Sequence, residues 1–188
     1  MKAGFITAGI SGILLTLGFA PYEQSWLGWA ALIPIAWFLS WKPVSTGEAF
    51  KLGLFFGLIH FLTSLSWLTN VTWTGWIVLS IYLSLYPALW TTFWRWLLTR
   101  RKNFSPADNL IASFYGACGW VVLEWCRSWM LTGFPWNFLA VTQHANLAII
   151  QLAEWGGIYL ISWLLAFFNL AIALSIRQWN REIRQIQP

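Results

Sequence analysis

The feature that most constrains this chain is a series of apolar runs that recur from one end to the other. Several reach about 18 residues or more, and a helix of that length crosses a bilayer core of about 30 Å. Hydrophobic residues make up 59% of the 188 positions and charged residues only 9%, against roughly 25% charged in a soluble domain. The sequence therefore predicts an all-α, polytopic integral membrane protein.

About six transmembrane helices are predicted from these runs and from the residues that separate them. Pro21 ends the first run, and Ser45 with Glu48 gives a helix N-terminal signal before the third. Pro87 should kink the fourth, and Gly156-Gly157 should break the sixth. We expect these runs to form a single membrane domain over residues 1–188 with no soluble domain; they cover residues 3–20, 26–41, 48–67, 76–98, 110–130 and 147–176.

The positive charges predict how the spans are oriented. Ten of the eleven Lys and Arg residues fall on one side of the predicted spans, and Arg127 lies within the fifth run. The positive-inside rule then places both termini in the cytoplasm. This topology explains the net charge of +5 better than a nucleic-acid partner does. A cleaved signal peptide is the alternative for the first run, and Pro21 argues against it.

Three further patterns predict packing and position in the membrane. Gly53 and Gly57 have the spacing that lets two helices approach closely. Ala112 and Gly116 have the same spacing in the fifth run. Tryptophans near the run ends, among them Trp94, are typical of aromatic belts at the bilayer interface.

Glu124 and Arg127 are the strongest candidates for function. An ionised side chain at bilayer depth costs at least about 2.5 kcal/mol, so such residues normally face a partner, a cavity or a site. Three residues apart on one helix, the two can pair, and an arginine near the outer surface can hold a lipid phosphate. A purely structural ion pair is the alternative. The turn Gly133-Phe134-Pro135-Trp136 follows, either as an aromatic lip of that site or as a simple re-entry loop.

Other reactive residues give weaker signals. His60 lies in the third run. An interhelical hydrogen bond is a simpler interpretation of this histidine than a proton relay. His144 is too far from it in sequence to suggest a metal site, and no cofactor motif is present. Cys118 and Cys126 are poor nucleophile candidates, because neither has a histidine nearby in sequence to activate it. No catalytic residue is predicted within the chain.

Several of these segments together resemble the membrane domain of apolipoprotein N-acyltransferase. The most specific are Glu124-Trp125-Cys126-Arg127 and Thr132-Gly133-Phe134-Pro135-Trp136. The resemblance extends over essentially the whole chain. The other matching segments are residues 18–22, residues 82–86, Gln143 and Gly156-Gly157.

The resemblance implies a multi-pass protein of the bacterial inner membrane. Enzymes of this family transfer a fatty acyl chain from a phospholipid to the N-terminal cysteine amine of a diacylglyceryl lipoprotein. Their nucleophile lies in a nitrilase-like domain that no segment before Pro188 matches, so this chain alone is not expected to be catalytically competent. The lipid-binding residues implied are Glu124, Arg127, Gly133, Phe134, Pro135 and Trp136.

Other functions stay open at this point. The chain can be the amino-terminal part of such an enzyme, whose phospholipid donor it binds and whose lipoprotein acceptor needs the missing domain. It can also be a stand-alone lipid-binding or assembly module that docks with a separately encoded nitrilase-like partner chain. A small transporter is the third candidate, although inverted repeats are not apparent.

Overall fold

The computed structural model describes residues 1–101 and 105–186, and all the regular secondary structure within them is helical. Two members of the predicted basic side, Lys102 and the side chain of Arg184, lie outside the described part. The helices are α1 (Lys2–Leu17), α2 (Ile33–Trp41), α3 (Thr46–Ser64), α4 (Trp73–Thr99), α5 (Pro106–Arg127), α6 (Leu147–Ile150) and α7 (Ala153–Ile186).

Each predicted run overlaps one of the helices α1, α2, α3, α4, α5 and α7, but the second run was wrong as a continuous helix. It is divided into a 3-10 turn, Ser25–Trp29, and the nine-residue α2. Nine residues rise only about 14 Å, less than half of a bilayer core. In the described part of the chain, two helices are long and apolar enough to cross a membrane: Trp73–Thr99 and Ala153–Ile183.

Side-chain caps fix where two of the helices begin. The Ser45 hydroxyl accepts a hydrogen bond from the Glu48 backbone N–H, and the Glu48 carboxylate accepts one from the Ser45 N–H at 2.7 Å. Ser105 and Asp108 make the same reciprocal contacts at the start of α5. These bonds satisfy N–H groups that a helix start otherwise leaves unpaired. The predicted signal at Ser45 is confirmed.

Helices α3 and α4 pack closely because α3 presents glycines to its neighbour. A Cβ atom at Gly53 would lie 2.6 Å from the Pro87 carbonyl oxygen, and one at Gly57 would lie 2.8 Å from Ser84 Cα. The Thr91 hydroxyl crosses the same interface and donates to the Ala49 carbonyl at 2.9 Å. The close contact predicted for this glycine pair is confirmed.

Helix α5 approaches α4 and α7 at the second predicted small-residue pair. The Trp90 indole nitrogen donates to the Gly116 carbonyl at 3.0 Å, and a Cβ at Gly116 would lie 2.6 Å from Leu170. Trp94 is fully buried and donates to the Ala36 carbonyl at 3.4 Å. Its assignment to an aromatic belt was therefore wrong, because the helix turns this ring inward against α2.

The predicted break at Gly156-Gly157 is confirmed. Gly157 has a φ of +62°, a left-handed conformation that glycine adopts readily.

Farther along α7, the fully buried Asn169 side chain accepts from the Leu32 N–H and donates to the Gly28 carbonyl, both at 2.9 Å. It thereby satisfies backbone groups in the irregular stretch before α2.

The two ends of the bundle differ in chemistry. At one end, here called the basic end, Arg95 donates to the Val44 carbonyl at 2.7 Å and fixes the α2–α3 connection. At the other end, here called the bend end, the connection between α5 and α6 folds back over the helices. Gln143 anchors that connection by donating to the Ser25 carbonyl at 2.6 Å.

Candidate functional site

Glu124 lies in the last turns of α5 and binds the connection that follows the helix. Its Oε1 atom accepts from the Leu139 backbone N–H at 2.7 Å and from the Trp120 indole nitrogen at 2.9 Å. The side chain is only 4% exposed. A buried N–H without an acceptor would cost about 1–3 kcal/mol, so this carboxylate holds the backbone near Leu139 in place.

Arg127, one helical turn later, holds an adjacent part of the same connection. Its Nη2 atom donates to the Asn137 carbonyl at 3.3 Å, and its own carbonyl accepts from the Phe134 N–H at 2.9 Å. The guanidinium carbon lies 5.0 Å from the centre of the Phe138 ring and 5.4 Å from that of Phe61. Aromatic faces attract a cation at such distances, which favours a charge that is only 3% exposed.

The expected direct pairing of Glu124 with Arg127 was wrong. No side-chain nitrogen of Arg127 lies within 4.0 Å of a Glu124 carboxylate oxygen among these described side chains. Each residue instead uses its hydrogen bonds on the backbone of the connection, at Leu139 and Asn137 respectively. The two opposite charges share one buried region without closing into a salt bridge.

That region contains a small inner cavity of about 30 Å³. Three of the residues that line it have a buried polar atom with no hydrogen-bond partner in the described protein: Glu124 Oε2, Arg127 Nη1 and His60 Nε2. The volume suits about two water molecules. A phospholipid headgroup is larger and can enter only if the surrounding segment moves.

The opposite ring nitrogen of His60 has a partner. His60 Nδ1 lies 3.1 Å from the Thr16 hydroxyl oxygen, which joins α3 to α1. This contact confirms the interhelical hydrogen bond predicted for the histidine.

A larger outer groove of about 530 Å³ opens at the bend end beside the inner cavity. Its volume is within the range of about 300–1,000 Å³ typical of ligand pockets. The Trp67 and Trp136 side chains are 47% and 55% exposed, with ring centres 6.2 Å apart. The lining residues are Phe19, Ala20, Glu23, Ser64, Trp67, Pro135, Trp136, Asn137, Val141 and His144.

Asn137 lines both the outer groove and the inner cavity. Its φ of +56° is left-handed, and its amide nitrogen donates to the Ser64 hydroxyl at 2.8 Å. Sequence reasoning missed this residue. A signal existed, because asparagine directly follows Trp136 and is the non-glycine residue that, with aspartate, most often takes this conformation.

The structure brings the six predicted lipid-binding residues together at the bend end. Glu124 and Arg127 line the inner cavity, whereas Pro135 and Trp136 line the outer groove. The Phe134 ring lies 5.9 Å from that of Trp136, and Gly133 makes the turn with a φ of +80°. The six residues therefore lie close together, and their role in binding lipid stays a prediction.

Two other segments that carried the resemblance lie at the same two spaces, the outer groove and the inner cavity. Phe19 and Ala20 line the outer groove, and Tyr86 lines the inner cavity.

Residues 11–171 match the family model described as the apolipoprotein N-acyltransferase N-terminal domain. The chain belongs to this family.

Relatives named apolipoprotein N-acyltransferase match almost the whole chain. The protein of Geobacter metallireducens is 35% identical over 187 residues, which cover 94% of this chain and 34% of that protein. Those of Chromobacterium violaceum and Vibrio vulnificus are 29% and 30% identical over 188 residues, covering 94% and 93% of this chain. The chain thus spans about a third of the length of these curated apolipoprotein N-acyltransferases.

Proposed function

We propose that this chain is the membrane-embedded, lipid-facing portion of an apolipoprotein N-acyltransferase. In that role it anchors the enzyme and positions a phospholipid for acyl transfer to the N-terminal cysteine amine of a diacylglyceryl lipoprotein. The main support is the family match over residues 11–171. The apolar groove at the bend end, walled by Pro135 and Trp136, supports the lipid-facing assignment.

The proposed setting is the bacterial inner membrane, with six crossings in one membrane domain and both termini in the cytoplasm. Helices α4 and α7 support it by length and composition. The concentration of Lys and Arg in the connections of one side supports the orientation. The bend end then faces the periplasm, the side on which the lipoprotein acceptor would arrive.

The proposed lipid site combines the groove with the buried charges behind it. Acyl and glycerol atoms pack on Trp67, Trp136 and Phe19, which supply apolar contact at the groove wall. Arg127 holds the lipid phosphate, since its planar fork suits phosphate oxygens and its Nη1 atom has no partner in the described protein. Because the inner cavity holds only about 30 Å³, the phosphate reaches Arg127 only after the segment around Asn137, which lines both spaces, moves.

The covalent step is proposed to take place on a nitrilase-like domain, either continuous with residues 1–188 or on a partner chain. Nucleophilic catalysis needs a nucleophile activated by a neighbouring base or by a lowered pKa. In the described part of this chain, Cys118 and Cys126 are free thiols that are partly buried, and neither is hydrogen-bonded to a histidine. We therefore expect no covalent acyl capture by these 188 residues alone.

Lipid retention by the purified chain tests the proposed site. The protein is reconstituted in phosphatidylethanolamine nanodiscs, and the lipids it keeps after transfer to detergent are counted by native mass spectrometry. Trp136→Ala and Arg127→Lys should each lower retention, since one removes a groove wall and the other removes the fork while keeping the charge. Trp155→Ala is the matched control, because this ring is 85% exposed and lies outside the groove. Equal retention in all three variants would refute the site.

A further inference from the structure

Three side chains on the wall of the inner cavity each have one polar atom without a hydrogen-bond partner in the described protein. The atoms are His60 Nε2, Glu124 Oε2 and Arg127 Nη1. His60 is 2% exposed, and the other two residues are buried to a similar degree. A polar group that is buried without a partner is costly, and a buried charge is more so. The three atoms come from α3 and α5, so a ligand in the cavity would serve both helices.

Nearby donors on the cavity wall are engaged elsewhere. The Trp90 indole nitrogen donates to a carbonyl of α5 at 3.0 Å, and the Trp120 indole nitrogen donates to Glu124 Oε1 rather than to Oε2. The Tyr86 hydroxyl is hydrogen-bonded to Tyr82. The apolar part of the wall consists of Leu15, Phe61, Pro87 and Leu123. The three unpartnered atoms therefore decide what the cavity binds.

The contacts of Thr16 assign the proton of the His60 ring. The Thr16 hydroxyl donates to the Gly12 carbonyl at 2.9 Å, and the adjacent Thr63 hydroxyl donates to the Ile59 carbonyl at 2.6 Å. Because a hydroxyl has a single proton, the Thr16 oxygen accepts from His60 Nδ1, which lies 3.1 Å away. A neutral ring with its proton on Nδ1 leaves Nε2 as an acceptor. The charge of Arg127 at the same cavity disfavours a second cation there.

The unpartnered atoms thus comprise two acceptors and one donor. His60 Nε2 and Glu124 Oε2 accept, whereas Arg127 Nη1 donates. An anion would face both acceptors, and a cation would lie beside the guanidinium, so neither suits all three atoms. A small neutral molecule that both donates and accepts does suit them. The cavity volume of about 30 Å³ holds about two water molecules.

We propose that the inner cavity binds water that bridges Arg127 to His60 and Glu124. The bound water accepts from Arg127 Nη1 and donates to His60 Nε2 and Glu124 Oε2. Buried waters typically make about three hydrogen bonds, and such bridges are nearly as favourable in enthalpy as direct bonds. The Ser162 hydroxyl also interacts with the Glu124 carboxylate, from the side of α7. Water therefore joins the two opposite charges, which do not close into a salt bridge, and ties α3 to the end of α5.

This inference does not rest on lipid binding at the bend end. If a lipid phosphate reaches Arg127 as proposed above, it takes the place of the water on Nη1. The experiments on the water site use no lipid ligand, whereas the proposed lipid site is tested by lipid retention. The two proposals can therefore fail separately.

Oxidation of buried tryptophans by X-ray radiolysis tests the site, because radicals formed from bound water oxidise the side chains beside it. Trp90 and Trp94 form a matched pair in the full chain. Both are fully buried on α4, one turn apart, but only Trp90 lines the cavity. Mass spectrometry should find oxidation at Trp90 and not at Trp94. Equal oxidation of the two rings, or none at Trp90, would overturn the proposal.

A cavity-filling variant locates the water more closely. Leu123→Phe adds bulk to the cavity wall and should abolish the oxidation of Trp90. Leu110→Phe makes the same change at an exposed position of α5 and should leave that oxidation as in the wild type. Oxidation of Trp90 that persists in Leu123→Phe would mean that the water lies outside the cavity.

Histidine NMR gives a second test that needs no variant. The chain contains two histidines, so nitrogen-15 histidine labelling gives side-chain signals from His60 and His144 alone. Solid-state spectra of the full chain in bilayers should show the His60 proton on Nδ1. Magnetisation transferred from water should reach this buried ring as well as the exposed His144. A proton on Nε2, or no transfer from water to His60, would refute the bridge.

Discussion

Glu124 and Leu139 are joined by a hydrogen bond of 2.7 Å from the Leu139 backbone N–H to the carboxylate. Fifteen residues separate them in sequence, and the contact ties the connection after α5 back onto that helix. Arg127 makes a second tie at Asn137. The two charges predicted to lie at bilayer depth therefore also shape the wall of the proposed lipid site.

Removing the Glu124 carboxylate should destabilise the fold. Glu124→Ala leaves the N–H groups of Leu139 and Trp120 without their acceptor, which predicts a loss of about 2–5 kcal/mol. Glu124→Gln keeps a carbonyl acceptor and should cost less. Unfolding in detergent measures both, with the exposed Glu154→Ala as control. A cost below about 1 kcal/mol for Glu124→Ala would contradict the tie.

Asn137 should tolerate glycine better than a β-branched residue. Its left-handed φ of +56° suits glycine, so Asn137→Gly loses mainly the hydrogen bond to Ser64, worth about 1 kcal/mol. Asn137→Val adds backbone strain of about 1–3 kcal/mol. Thermal unfolding of the two variants ranks them. A valine variant as stable as the glycine variant would show that the left-handed conformation is not required.

The sequence predicted features that depend on neighbouring residues. The cap at Ser45 and the break at Gly156-Gly157 follow from local backbone chemistry. The glycine pair in α3 follows from helix periodicity, since Gly53 and Gly57 lie on one face. Each of these signals is contained in about five residues, and each is confirmed.

The wrong predictions concern features that distant contacts decide. Apolar composition alone made residues 26–41 one run, but Asn169 supplies the hydrogen bonds that let the backbone leave the helix there. Periodicity could not show that Trp94 faces α2. The pairing of Glu124 with Arg127 failed because the connection after α5 offered both residues backbone partners.

The start of α5 should respond to pH through Asp108. Hydrogen bonds from the Ser105 hydroxyl and backbone N–H hold the pKa of this carboxyl below its usual value. The cap therefore stabilises the helix above the pKa of the unfolded chain, and the contribution is lost as pH falls through the lower folded pKa. Ser105→Ala should raise the pKa of Asp108, as measured by carbon NMR of the carboxyl group. An unchanged pKa would exclude the hydroxyl as its cause.

Two glycines of α3 should respond in opposite ways to alanine. At Gly53 a Cβ would lie 2.7 Å from Ala88 Cα, and backbone cannot move aside as a flexible side chain can. Gly53→Ala should therefore push α3 away from α4 and cost about 1–3 kcal/mol. At Gly47, in the first turn of the same helix, nothing lies within 4 Å of the added atom.

Gly47→Ala is thus the matched control for the helix contact. Alanine favours a helix over glycine by up to about 1 kcal/mol, so this variant should be as stable as the wild type or slightly more stable. Thermal unfolding of both proteins in the same detergent measures the difference, because the substitution is chemically identical at the two positions. If both glycines shift the melting temperature equally, close packing against Ala88 does not hold α3 to α4.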